Sequence, residues 1–343
     1  MKTVLVTGAG GYIGSILVPK LLKLGYFVKA VDRFFFGLDK LQKHENLLCF
    51  KDDTRRLQDE LFTNIDYVID LVAISNDPSG KEFSEATFQI NHVSRVRTAA
   101  LAKKLGVKRY ILPSSCSIYG FQKGIVDETS STNPLTEYAL ANEKAEQNVL
   151  SLVSDTFCVT VLRQSTVFGY SPRMRFDLAI NGMSLGAFKN KKLPLMRDGK
   201  QFRPMVHVQD TTDVMCLLLT EDIKKINGEI FNVGGDSNNY QIGPLGKTVA
   251  GIVSDILNIK IPIEWYGEPD LRSYNVSFDK IKTVLNWEPK WDASSGVKEI
   301  VSKLQDGSLT VDLSTITLDW YKELIKWHQI IKNIEMYGGI LDI

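Results

Sequence analysis

The chain predicts an α/β fold with a parallel sheet wound in both directions, and three observations carry that expectation. First, Thr3-Val4-Leu5-Val6-Thr7 is a short β-branched run followed by Gly8-Ala9-Gly10-Gly11-Tyr12-Ile13-Gly14, a helical-period run, and a second apolar run ending at Asp32. Second, further apolar runs of strand length at 47–50, 67–72, 107–113 and 157–162 alternate with helical segments at 82–105 and 137–153. Third, 343 residues suffice for one large α/β domain with an appended lobe, or for two domains, and a hydrophobic content of 44% supports a real core. Strands alternating with helices make a parallel sheet covered on both faces, with ligands at the carboxyl ends of its strands.

The first unit is also a ligand signal. Ile13, Leu17, Leu21 and Leu24 fall at helical spacing, and Gly25 is a stop. Strand, glycine turn, helix and a second strand closing on an acid about twenty positions later fit a Rossmann-type dinucleotide site. Gly8, Gly11 and Gly14 let backbone amides approach a pyrophosphate, Tyr12 and Ile13 lie in the same turn, and the helix N-terminus attracts the charge. Asp32 can accept hydrogen bonds from ribose hydroxyls. Arg33 could reach a ribose 2′-phosphate, but Asp32 would repel it, so NAD is expected over NADP. Beyond about residue 170 the alternation loosens. Residues 171–175 form a turn-rich basic segment, short strands are expected near 203–208 and 228–235, and helices at 244–257 and 279–286. We therefore expect a Rossmann domain over 1–170, a smaller α/β lobe over 171–310 interleaved with it, and a helical extension over 311–343. In that extension Trp320, Leu324, Trp327, Ile331 and Ile334 mark one face, a pattern that serves a core or an oligomer contact.

Composition excludes several classes. A formal net charge of +1 without a basic block argues against a nucleic-acid surface. No apolar run reaches membrane-spanning length, and the N-terminus leads straight into a strand, so a cytoplasmic protein without signal peptide is expected. Cys49, Cys116, Cys158 and Cys216 are scattered and read as reduced thiols. His44, His92, His207 and His328 have no ligand spacing, so no metal is expected, and His207 reads as structural, near Asp210.

Four stretches together carry a resemblance: Gly8-x-x-Gly11-x-x-Gly14, Ser114-Ser115-x-x-x-Tyr119-Gly120, Tyr138, and the run from Arg203 to Asp210. Over about residues 1–305 the chain resembles the extended short-chain dehydrogenase/reductase family, in particular its NAD-dependent nucleotide-sugar epimerases, dehydratases and reductases. The resemblance implies that Asp32 holds the adenosine ribose, that Asp53 lies near adenine, that Thr54 belongs to the cofactor site, and that Ala73 and Asn91 line the cofactor cleft. Ser115 and Tyr138 match the catalytic serine and tyrosine. Arg203 and Arg272 match arginines whose fork of donors clamps a nucleotide diphosphate, the alternative for each being a surface ion pair. Ser75, Ser117, Thr166 and Asn181 match substrate-lining positions, and residues 171–177 resemble members acting at sugar C4. A homodimer is implied as well, with the helices at 82–105 and 137–153 pairing across a two-fold axis as a four-helix bundle.

One position departs from the pattern. The family places a lysine four residues after the tyrosine, and here Asn142 stands there. A free tyrosine has a pKa near 10, whereas oxidation needs its phenolate as base. A lysine charge about 5 Å away, at an effective dielectric near 20, contributes roughly 3 kcal/mol, or about two pK units. Asn142 can still hydrogen-bond a nicotinamide ribose but brings no charge, and Lys144, six positions along, points away from Tyr138. Three readings stay open: a less acidic working tyrosine, a basic group supplied from elsewhere, or an impaired chain. Sugar dehydratases of the family place an Asp-Glu pair after the serine, where this chain has Cys116 and Ser117, so dehydration is not expected. What remains is hydride transfer at a sugar carbinol, most often C4, by a 4-epimerase, 4-dehydrogenase or 4-ketoreductase. The rival is a non-catalytic NAD-binding sensor or assembly subunit.

Overall fold

A computed structural model describes residues 1–268, 272–336 and 338–339. In chain order the strands of the first half are β1 (Thr3–Thr7), β2 (Phe27–Asp32), β3 (Leu47–Lys51), β4 (Tyr67–Asp70), β5 (Arg109–Ser115), β6 (Phe121–Val126) and β7 (Cys158–Gln164). Those of the second are β8 (Thr166–Phe168), β9 (Leu193–Met196), β10 (Phe202–His207), β11 (Glu229–Val233), β12 (Asn239–Gln241), β13 (Ile263–Tyr266) and β14 (Ser273–Val276). The main sheet has the order β11-β7-β5-β4-β1-β2-β3, and every pair in it is parallel. Strand order reverses between β1 and β4, which opens the crevice where ligands of such sheets bind. The chain leaves this sheet after β7 and returns to it with β11.

Alternation along each strand fills both faces. Val4, Val6, Ile69 and Ile111 pack on one side with helix α1 (Gly14–Lys23), while Leu5, Val68, Tyr110 and Leu112 pack on the other. Each such aliphatic side chain contributes about 1.5–3 kcal/mol relative to exposure. At the end of β1 the chain turns at Gly8, with φ of +63°, and a Cβ there would lie 2.8 Å from the Leu71 carbonyl carbon.

The helix expected at 82–105 runs unbroken from 84 to 104 as α3 (Ser84–Phe88), a π-helical stretch Gln89–Ser94 and α4 (Arg95–Lys104), and a short separate helix α2 (Asp77–Glu82) precedes it. Side-chain bonds that periodicity does not report accompany the separate first helix and the π-helical stretch. Asn76 caps α2 through Ser79 N, and the Asn91 carboxamide bonds both the amide and the carbonyl of Ile74. Next comes α5 (Glu137–Leu150), capped by Thr136, which also donates to Asp77 Oδ1 at 2.6 Å. The remaining helices are α6 (Ala179–Asn190), α7 (Val208–Leu218), α8 (Ile223–Ile226), α9 (Ile242–Leu257), α10 (Asp279–Leu285), α11 (Ala293–Gln305) and α12 (Thr317–Ile334). Helices α6, α9 and α11 close a second core over β9 and β10 around Phe168, Leu193, Leu195 and Val297. His207 is fully buried, stacked on Trp291 at 4.1 Å and bonded to Glu299, while Asp210 accepts from the amides of Lys290 and Trp291. No helix among the described residues is long and apolar enough to cross a membrane.

Candidate active site

A cleft of about 1200 Å³ runs along the carboxyl ends of the main-sheet strands and under the second lobe. At one end the glycine turn supplies Gly8, Gly11, Tyr12, Ile13 and Gly14 to its wall. The turn is tight: a Cβ on Gly14 would lie 2.4 Å from the Ala9 carbonyl. The first turn of α1 carries no acidic side chain, so the positive end of its dipole is open to an anion. Asp32 accepts from the amides of Gly10 at 3.0 Å and Phe34 at 2.7 Å. Burial raises its carboxyl pKa, and those amides with the Arg173 charge oppose the rise. Arg33 and Arg55 both pair with Asp53, at 2.8 Å and 2.6 Å, and Arg55 leads in holding that carboxyl well below the ordinary range. Thr54, whose hydroxyl meets Ser94 at 3.0 Å, and Ala73 complete this end.

Midway along the cleft, β5 ends at Ser115 and the first turn of α5 presents Tyr138; both are on the wall. The Ser115 hydroxyl accepts from Ser117 N at 3.1 Å and is a hydrogen-bonding neighbour of the Tyr138 phenol. Burial raises the Tyr138 pKa; Arg95, Ser115 and Arg175 pull it down, and Asp77 adds to the rise. Ser117 Oγ has no hydrogen-bond partner among the described residues and is on the wall, as is Thr166. Ser75 Oγ, also on the wall, accepts from Arg175 Nη1 at 2.8 Å, and Arg175 forms a two-point pair with Asp177 at 2.9 and 2.8 Å.

At the far end Arg203 and Arg272 both face the cleft. Arg203 Nη1 donates to the carbonyls of Phe202 and Arg272, and its guanidinium lies over the Tyr274 ring at 5.1 Å. Arg272 pairs with Asp77, which lines the same cleft, so among the described residues Arg203, Arg272 and Asp77 come together there.

A glycine cradle with an acid beyond it, a serine–tyrosine pair, and an arginine cluster thus line one cleft in that order, and a family model matches residues 4–234. The chain belongs to the NAD dependent epimerase/dehydratase family. It is 27% identical to UDP-glucuronate 4-epimerase of Thermodesulfobacterium geofontis, with 97% of this chain and 99% of that one covered. To UDP-glucuronic acid decarboxylase 1 of Arabidopsis thaliana it is 24% identical, over 90% of this chain and 71% of that one. Among solved structures it superposes on UDP-glucuronic acid 4-epimerase from Bacillus cereus, in complex with UDP-glucuronic acid and NAD, with a TM-score of 0.79 at 23% identity. That superposition covers 89% of this chain and 99% of the other.

Within this family member three expected wall residues lie behind the wall. Asn91, fully buried, ties the loop after β4 to the π-helical stretch. Asn181 accepts from Gly169 N and donates to Tyr12 Oη and the Arg175 carbonyl, so it positions Tyr12 instead of lining the substrate end. Asn142 donates through Nδ2 to the Tyr138 carbonyl and accepts from Arg95 Nη1, both at 2.9 Å, which leaves it facing the protein, not a nicotinamide ribose. Each carboxamide is drawn inward because buried backbone groups and a buried arginine need its donors and acceptors.

Sequence reading missed other groups. Arg173, buried and with its pKa pushed down to about 10 by burial and by Arg175, lies 3.6 Å over the Phe36 ring. Tyr321 of α12 meets Phe35, Phe36 and Phe83, and Trp320 Nε1 donates to the Phe35 carbonyl at 2.7 Å. Tyr321, Leu324 and His328 place α12 on the cleft wall. The basic run at 171–175 was a signal for Arg173 and Arg175, but nothing in the local pattern around Arg95 set it apart from a surface arginine. Among the described residues no group of His, Cys, Asp and Glu could hold a metal.

Proposed function

We propose that this chain is an NAD-dependent epimerase or oxidoreductase acting at C4 of a UDP-linked sugar, with Ser115 and Tyr138 as its catalytic residues. The observation that carries this reading is the position of the Ser115–Tyr138 pair between the glycine cradle and the Arg203–Arg272 cluster, in one cleft. The residues fit NAD: the glycine turn and the N-terminus of α1 lie on the cleft wall where a pyrophosphate would meet them, and Asp32 keeps lone pairs for ribose hydroxyls beyond those the amides of Gly10 and Phe34 use. Arg203 and Arg272 fit the opposite diphosphate. UDP is favoured as the nucleotide because the relatives named above act on UDP-sugars.

Bound NAD supplies a hydride acceptor and, once reduced, a donor. This chain's residues handle the proton and the sugar. Tyr138 takes the C4 hydroxyl proton as the C4–H bond breaks, and Ser115 bonds the oxygen that becomes the ketone. In an epimerase the ketosugar then turns its other face, and Tyr138 returns the proton. Dehydration is outside this reading, since burial raises the Cys116 thiol pKa, its Sγ donates to the Arg163 carbonyl at 3.1 Å, and Ser117 is no acid–base group at neutral pH. The division into 1–170, 171–310 and 311–343, a cytoplasmic location and a homodimer belong to the same reading.

Incubation with UDP-glucuronate, UDP-glucose and UDP-N-acetylglucosamine, followed by chromatography of the sugar nucleotides, tests it. A C4 epimer or 4-ketosugar that disappears with Tyr138→Phe is expected. Release of carbon dioxide and a UDP-pentose would move the reading to a decarboxylase, and no conversion of any UDP-sugar would overturn it.

A further inference from the structure

We propose that Arg95, anchored by Asn142, supplies the fixed positive charge that favours the Tyr138 phenolate, in place of a lysine one helical turn beyond the tyrosine. This rests on the reading of Tyr138 as the proton-transfer group.

Arg95 opens α4 directly after the π-helical stretch and is only 2% exposed. Its Nε donates to the Val72 carbonyl at 3.0 Å, in the loop that lines the cleft after β4. Its Nη1 donates to Asn142 Oδ1 at 2.9 Å. Both acceptors are uncharged, so these contacts orient the guanidinium without neutralising it. Asn142 then donates to the Tyr138 carbonyl, which ties the arginine to the turn that carries the phenol. A lysine at 142 would set an ammonium against this guanidinium, whereas an asparagine offers it an oxygen. The departure at 142 and the buried arginine therefore read as one arrangement.

The other charges facing Tyr138 are already paired. Asp77 on α2 pairs with Arg272, and Arg175 pairs with Asp177. Facing Arg95 from β4 is Asp70, whose oxygens accept from the hydroxyls of Thr7 and Tyr110; burial pushes its carboxyl up, which disfavours its charged form, and the Arg95 charge is the first influence to oppose that rise. Among the groups acting on the phenol, Arg95 is the strongest that favours its ionised form, ahead of Ser115 and Arg175. A cation in a buried setting lowers a neighbouring acid by about one to three units, and less as the separation grows.

The test reads the phenol itself. Tyr138 ionisation is followed by ultraviolet difference titration of the NAD-saturated chain against its Tyr138→Phe variant. Arg95→Gln is expected to raise the Tyr138 midpoint by about one pH unit, and Arg95→Lys to leave it close to native. Arg95→Gln/Asn142→Lys, which returns a cation from the family's usual position, is expected to bring the midpoint back down. The pH profile of sugar oxidation should move with these midpoints. An unmoved midpoint in folded Arg95→Gln overturns the proposal, as does activity lost equally at every pH with an unmoved profile. Should Arg95→Gln not fold, the double variant decides: a native-like midpoint supports the proposal and a raised one overturns it. Failure of the functional reading looks different, since no UDP-sugar would then be converted while the Tyr138 midpoint still responded to Arg95.

Discussion

At the scale of single residues, the cleft separates two kinds of anion recognition. On the proposed reading Arg203 and Arg272 clamp a diphosphate at the end away from the glycine turn, and replacing either with alanine would remove one charge-assisted contact worth about 1.5–3 kcal/mol. Substrate affinity should fall by about ten- to a hundredfold with NAD affinity unchanged, measured by calorimetry for each ligand. At the other end Arg33 and Arg55 are turned onto Asp53. Because Asp53 stays ionised far below neutrality, both arginines remain paired at working pH and are poorly placed for a 2′-phosphate. NAD should therefore bind more tightly than NADP. Asp53→Asn should raise NADP affinity by up to about fivefold, since part-exposed pairs are worth only about 0–1 kcal/mol. Equal or tighter binding of NADP by the native chain would reverse the assignment.

At the scale of elements, α5 must hold Tyr138 still. Glu146, three helical turns along α5 from the cap, forms a buried pair with Arg163 of β7, which also donates to the Tyr119 hydroxyl. Truncating one partner strands the other charge in the core. Glu146→Leu or Arg163→Leu should each cost about 3–5 kcal/mol in denaturant unfolding, and the double replacement distinctly less than the sum. A strictly additive double variant would show that the two do not act as a pair. Helix α12 is the second element with a task, because Tyr321 closes an aromatic cluster with Phe35, Phe36 and Phe83 just beyond Asp32. Tyr321→Ala should weaken NAD by about tenfold, equivalent to about 1.4 kcal/mol, and lower the thermal midpoint of the chain through the lost aromatic contacts. Undiminished NAD affinity would reduce α12 to a packing element.

At the scale of the whole molecule, Phe88 on α3, Val93 in the π-helical stretch and Leu140 on α5 leave apolar surface exposed on neighbouring elements. We expect a homodimer through this face, and a monomer mass in light scattering at micromolar concentration would reject it. Sequence by itself determined the parallel sheet, the glycine turn and Asp32, because each is local: a strand period or a turn spacing states it within about thirty residues, while Ser115 and Tyr138 came from the family resemblance. Only the tertiary structure decided the rest. Asn142 read as a missing charge because it stands where the family places a lysine, yet its partner Arg95 lies 47 positions away. Asn91 and Asn181 read as wall residues, and long-range bonds to Ile74, Gly169 and Tyr12 turned them inward. Trp320 and Leu324 read as one face of a terminal helix; its place over Phe35 follows from a hydrogen bond spanning 285 positions. A side chain's neighbours in sequence fix its secondary structure, but its charge environment is set by whichever elements pack against it, and those contacts are long-range.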